Sequence, residues 1–221
     1  MAYILNIETS TKNCSVALSQ NGQLLLCKEI ADQGYSHAEK LHVFIDEILV
    51  ETSVGFSQLS AIAISSGPGS YTGLRIGVSA AKGLCYALGI PLISIDTLTS
   101  MAHKVDLPHG YIIPMIDARR MEVYSAIFNP KKEMVRAVEA QIITNESFAE
   151  IEETIYFIGD SNQKVKEILN KPNHIFLDEL MYPSAQQMSA LSFQKFQNNQ
   201  FEDVAYFEPF YLKDFVLITK K

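Results

Sequence analysis

Cysteine is scarce in this chain, with only Cys14, Cys27 and Cys85 among 221 residues. An odd number of thiols in apolar surroundings, without the spacing of a metal site, excludes a disulfide framework and points to buried, reduced thiols in a cytoplasmic protein. Long hydrophobic runs are missing too. The longest apolar segment, residues 74–88, carries Arg75 and Lys82 and is too short to cross a bilayer. The N-terminus passes from Met1-Ala2 directly into an apolar strand ending at Glu8, with no basic flank, so no signal peptide and no membrane partner are expected. Positive charge is short: 18 Lys and Arg face 25 Asp and Glu, a net of −7 at pH 7. Such a surface repels a phosphate backbone, so where nucleic acid is involved a partner is expected to supply most of the contact. Low-complexity tracts are absent, and an apolar share of 48% is enough for one large core or two small ones.

What is present centres on Ser65-Ser66-Gly67-Pro68-Gly69-Ser70-Tyr71-Thr72-Gly73-Leu74-Arg75-Ile76-Gly77. Residues 61–65 read as a short buried strand and residues 73–88 as a helix, whose free N–H groups would point into the glycine loop and favour an anion there. No Walker lysine follows, and Gly67-x-Gly69 with Gly73 is one residue too long for the dinucleotide fingerprint. A nucleophile elbow fails as well, because Pro68 and Thr72 stand where glycines should flank Ser70. Two readings remain open at this point: a phosphate-holding loop and a tight strand-to-helix turn without a ligand.

The order of elements repeats. Residues 3–8, 14–20 and 23–30 read as strands with Asn21-Gly22 as a hairpin turn. A helix follows from the capping box Ser36-His37-Ala38-Glu39, with Leu41, Phe44, Ile45 and Ile48 at helical spacing, and stops at Thr52-Ser53-Val54-Gly55. Strand 61–65, the helix after the glycine loop and strand 92–95 complete the half. In the second half strands are predicted at 111–116, 122–128, 133–141, 155–158 and 174–177, with helices at 145–152, at 161–170 and from Pro183 to about residue 197. Two copies of one topology imply two related α/β domains facing each other across a cleft, residues 1–106 and 107–221, with the last segment free to return to the first domain. This duplication is the plan of the actin-like ATPase (ASKHA, ribonuclease H-like) superfamily.

A closer match rests on Ile4-Leu5-Asn6-Ile7-Glu8-Thr9-Ser10, on the glycine motif through Gly77, on Ala81-Lys82-Gly83-Leu84, on Asp117-Ala118-Arg119-Arg120-Met121-Glu122-Val123-Tyr124 and on Pro209-Phe210-Tyr211-Leu212-Lys213. On these residues the chain resembles the TsaB (YeaZ) family of tRNA threonylcarbamoyladenosine biosynthesis proteins, over nearly its whole length. The resemblance implies a paralogue of the threonylcarbamoyl transferase TsaD that has lost its chemistry. The two metal-binding histidines of TsaD fall on Thr97 and Met101, which suit no hard or borderline divalent metal. His37 and His42 do not replace them, since five positions turn a helix by about 140°. His103 and His109 lie in or near the linker without a ligand cluster, and each histidine is expected to be solvated. No catalytic or metal residue is therefore assigned.

The superfamily places an acid at the end of the first strand of each half, here Glu8 and Asp117, with Gly159-Asp160-Ser161 as a nucleotide-side turn. Together with Gly67, Gly69, Ser70 and Arg119 they are the nucleotide or cleft candidates. The alternative is that both acids cap neighbouring loops. No cofactor is expected for the chain itself, and Mg-nucleotide at a complex interface stays open. The function implied is that of a non-catalytic subunit supporting TsaD and the ATPase TsaE in modifying tRNA, which it reaches only through the complex. The partner interface is expected on the two helices of the first half, at His37, Leu41, Arg75, Gly77, Ala81 and Lys82, with Gly73, Gly77 and Ala81 leaving a flat face. Without TsaD that face is expected to be covered by a second copy. The competing reading is an ATP-dependent phosphotransferase or a peptidase of the same superfamily, but no His-Glu-x-x-His stretch exists and no histidine has a local partner. A nicotinamide site ending at Asp96 conflicts with the loop length.

Overall fold

A computed structural model describes residues 1–31 and 37–213. Two five-stranded mixed sheets carry the same topology. In the first, β1 (Tyr3–Glu8), β2 (Asn13–Gln20) and β3 (Gln23–Ala31) run antiparallel, and β4 (Leu59–Gly67) and β5 (Leu92–Asp96) add in parallel on the other side of β1, giving the order β3-β2-β1-β4-β5. In the second, β6 (Tyr111–Asp117), β7 (Glu122–Phe128), β8 (Met134–Ile142), β9 (Ile155–Ile158) and β10 (His174–Phe176) repeat it as β8-β7-β6-β9-β10. Local chemistry sets the turns. Asn21 and Gly22, with φ of 50° and 82°, make the tight β2–β3 hairpin that their sequence calls for.

Alternation along the strands sends side chains to two faces, and helices cover both. On one face of the first sheet Leu5, Ile7, Val16 and Leu18 meet Leu41, Ile45 and Ile48 of α1 (His37–Thr52) and Val78, Ala81 and Cys85 of α2 (Tyr71–Leu88). The opposite face, built from Ile4, Ala17, Ala61, Ala63, Ile93 and Ile95, takes Ala185 and Met188 of the last helix, which belongs to the second half of the sequence. Conversely, α3 (Thr97–Ala102), from the first half, places Leu98, Met101 and Ala102 against Ile112, Ile116, Phe128 and Ile158 of the second sheet. The two halves exchange one helix each. Here α4 is Asn162–Val165 and α5, the last helix, is Ala185–Gln197. The duplicated α/β architecture is the actin-like, ribonuclease H-like one that the order of elements implies.

Three expectations about helices change. The segment Thr97–Ala102 is a helix where none is predicted, and Asp96, where the nicotinamide reading above ends, is its cap, with Oδ1 accepting the Thr99 N–H at 2.7 Å. Residues 145–150 form turns instead of a helix, because Ser147 Oγ accepts the Thr144 N–H at 3.0 Å and Thr144 Oγ1 the Glu146 N–H at 3.3 Å, offering the backbone a local alternative. The expected helix 161–170 shrinks to Asn162–Val165. Ser36 of the capping box lies outside the described residues. None of the described helices is long and apolar enough to cross a membrane.

Candidate functional site

The glycine motif joins β4 to α2, with Ser70 as the cap whose Oγ accepts the Gly73 N–H at 3.3 Å. The close approach that its glycines permit is to the chain's own backbone. A Cβ on Gly69 would lie 2.3 Å from the Ser10 carbonyl oxygen, and one on Gly73 would lie 2.1 Å from that of Thr9. The Ser70 N–H donates to Ser10 O at 2.6 Å, and Thr9 Oγ1 donates to Gly73 O at 2.8 Å. Gly67 has φ of 107°, and a Cβ there would sit 2.8 Å from Phe210 O, while the Phe210 N–H donates to Ser66 O at 2.7 Å. The close approaches beside Gly67, Gly69 and Gly73 are thus to the backbone of Phe210, Ser10 and Thr9, which makes the motif a packing joint within the chain.

The proposed interface residues divide. Gly77 and Ala81 are buried, and a Cβ on Gly77 would meet Thr9 Oγ1 at 2.2 Å and Ile64 Cδ1 at 2.9 Å. Leu41 is core, and His37 is buried with Nε2 donating to Thr11 O at 2.8 Å. These four face their own domain, a correction to their expected place on a contact surface and, for His37, to its expected solvation. The Leu74, Val78 and Cys85 stripe of α2 is the sequence signal that turns Gly77 and Ala81 inward. Outward lies a second row of small residues, Ser79, Ala80 and Gly83, which was missed. With Ala38 and His42 of α1 and Arg75 of α2 they line an open groove of about 680 Å³. Its wall at Gly83 is shared with a depression of about 450 Å³ beside Lys82, Tyr86 and Val204. Among the described residues nothing lies within 4 Å of a Cβ on Gly83, so no packing against them explains a glycine in the middle of this helix.

Arg75 and Lys82 hold the C-terminal segment over α2. The Arg75 guanidinium sits 3.9 Å above the Tyr71 ring and its Nε donates to Tyr211 Oη at 3.3 Å. Lys82 Nζ donates to the carbonyls of Ala205 and Phe207, each at 3.0 Å.

The strand-end acids hold loops. Glu8 is buried, and its Oε1 accepts the Ser10 N–H at 2.6 Å and Ser65 Oγ at 3.0 Å; burial pushes its carboxyl above the usual range. Asp117 Oδ1 accepts the Arg119 N–H at 2.8 Å and pairs with Lys164, and the Asp117 N–H donates to Asp160 Oδ1 at 2.8 Å. Burial, reinforced by the Asp117 charge, pushes Asp160 up to about 6. Arg119 stands at the β6–β7 tip, exposed, with φ of 71°. Thr97 and Met101 are buried at the start and near the end of α3. Among the described residues no three His, Cys, Asp or Glu side chains gather as metal ligands.

A family profile described as "TsaD: tRNA N6-adenosine threonylcarbamoyltransferase" matches residues 29–219. The chain is 29% identical to the tRNA threonylcarbamoyladenosine biosynthesis protein TsaB of Escherichia coli, over 98% of this chain and 97% of that one. The protein of the same name from Buchnera aphidicola is 31% identical over 79% of this chain and 83% of its own length. That of Haemophilus influenzae is 39% identical, matching 55% of this chain and 51% of its own. Among solved structures, YeaZ from Pseudomonas aeruginosa superposes with a TM-score of 0.81 at 27% identity, covering 96% of this chain and 100% of that one. With full-length relatives in sequence, a TsaD-type match through both halves and the same fold in three dimensions, the chain belongs to the TsaB (YeaZ) family.

Proposed function

We propose that this chain takes part in making the threonylcarbamoyladenosine of tRNA as a non-catalytic, cytoplasmic subunit that binds TsaD and acts with the ATPase TsaE. The names of its relatives support the pathway. The docking role is carried by one observation: an apolar groove between α1 and α2 with a glycine, Gly83, on its wall that the fold itself does not use. Small residues there let a partner helix approach closely. A second copy of the chain takes the same place when TsaD is absent. Any Mg-nucleotide belongs to the interface of the complex, since the glycine joint of this chain is filled by its own backbone.

The test is Gly83→Glu, a substitution at an exposed position that leaves the core untouched. Co-purification with TsaD and TsaE should fall at least about tenfold, because a desolvated, unpaired charge at an interface costs several kcal/mol, and tRNA modification should fall with it. A folded variant that still binds TsaD and supports modification removes the groove from the interface. A wild-type chain that never binds TsaD removes the subunit reading.

A further inference from the structure

The turn between β6 and β7 carries charge that the fold leaves unused. Arg119 and Arg120 are exposed and enter no ion pair among the described residues. Among the described residues the neighbouring acids Asp117 and Glu122 are already matched, by Lys164 and Lys213, which leaves both arginines unpaired there. On a chain whose net charge is −7, a local excess of positive charge at one tip is an electrostatic footprint for an anionic partner.

Two further properties of the tip narrow the partner. Its backbone holds Arg119 and Arg120 at φ of 71° and 53°, angles that side-chain-bearing residues disfavour and that asparagine or glycine adopts more easily. The Asp117 carboxylate fixes the first of them by accepting the Arg119 N–H at 2.8 Å. The turn itself does not require arginine at either position, since asparagine or glycine accepts the same backbone more easily. Both side chains are exposed; sites for small ligands enclose most of the ligand, whereas the phosphates of a nucleic acid form an extended anionic surface that exposed cations can lie against.

We propose that Arg119 and Arg120 contact the phosphate backbone of tRNA and give this acidic subunit its own point of attachment to the substrate of the complex. The proposal rests on the role in tRNA modification argued above. The contact positions the tRNA and reads no sequence.

The decisive variant is Arg119→Asn combined with Arg120→Gly, which removes both charges with residues that accept the same backbone; it should melt no lower than the wild type. An unmodified tRNA transcript reading an A-starting codon is titrated across a range of salt onto wild type and variant, each alone and each mixed with TsaD and TsaE. The variant should bind more weakly, and the slope of its log affinity against log salt should be shallower by about 1 to 2. Lys131→Gln, at the other end of β7, should change neither quantity. ATP titrated in place of tRNA should bind wild type and variant alike, and a difference confined to ATP overturns the proposal. Equal tRNA affinity and equal slope in both arrangements also overturn it, as does a wild type that adds nothing to tRNA binding in either. Complex assembly is followed separately by size exclusion, so a chain that fails to meet TsaD counts against the docking surface, while the titration on the chain alone still decides the tip.

Discussion

Gly73 and Gly83 lie on one helix and face opposite demands. At Gly73 a methyl group would sit 2.1 Å from the Thr9 carbonyl oxygen, a backbone atom that cannot swing away, whereas at Gly83 it would meet nothing within 4 Å. Gly73→Ala should therefore destabilise the chain by about 3 kcal/mol or more, and Gly83→Ala should stabilise it by about 0.5–1 kcal/mol through helix propensity alone. Thermal melts of the two variants that moved the same way would refute this division. A second residue has a pH signature. The Asp160 carboxyl, with an ordinary value of 3.8, is pushed up to about 6. Between those values the folded chain keeps a proton that the unfolded chain has lost, so stability falls as pH rises through the window and the full cost is present above it. Asp160→Asn keeps the acceptor for the Asp117 N–H and escapes that cost. It should gain about 1–3 kcal/mol at pH 7.5 and nothing near pH 4, measured by urea unfolding. A gain that does not change with pH would remove burial as its cause. At this scale the sequence was legible in part: the glycine spacing announced a close approach, but not that Thr9 and Ser10, some 60 positions earlier, make it.

Elements were legible where their pattern is long. The sixteen residues of α1 and eighteen of α2 show helical spacing plainly, and Asn21-Gly22 marks its hairpin. Six residues, as in α3, span less than two turns and display no period, so Asp96 was legible only as an acid at a strand end and its capping bond to Thr99 appeared with the structure. The groove was half legible. Small residues recur along α2 in two rows, and only packing shows that the row at Gly77 and Ala81 faces the sheet while that at Ser79 and Gly83 faces out. Among the described residues, 203–213 form no helix or strand and depend on side chains of α2 instead. Lys82→Met deletes two charge-assisted hydrogen bonds, to Ala205 O and Phe207 O. Limited proteolysis within residues 203–213 should accelerate by about tenfold or more, given about 1.5–3 kcal/mol per bond, with the melting of the sheets little changed. An unchanged cleavage rate would show that the β-bridge between Leu92 and Glu202 and the Phe210 bond to Ser66 suffice.

For the whole molecule, the order of elements revealed the duplication but not the exchange of helices. Hydrophobic spacing says that a helix has an apolar face; it does not say which sheet that face covers. Here α3 crosses to the second sheet and α5 to the first. Cutting the chain at residues 106 and 107 should leave each piece without one of its covering helices, with Ile4, Ile93 and Ile95 bare on the first sheet and Ile112, Ile116 and Phe128 bare on the second. Neither piece should unfold cooperatively as a monomer, while the intact chain should show one transition. A soluble, cooperatively folded fragment 1–106 would refute the dependence. The same exchange sets a schedule for synthesis. Ribosomes deliver the first sheet early, yet its covering helix, Ala185–Gln197, emerges only after every strand of the second sheet. The nascent first half must wait with one apolar surface open until that helix has been made, and the N-terminal lobe cannot be completed ahead of the second sheet.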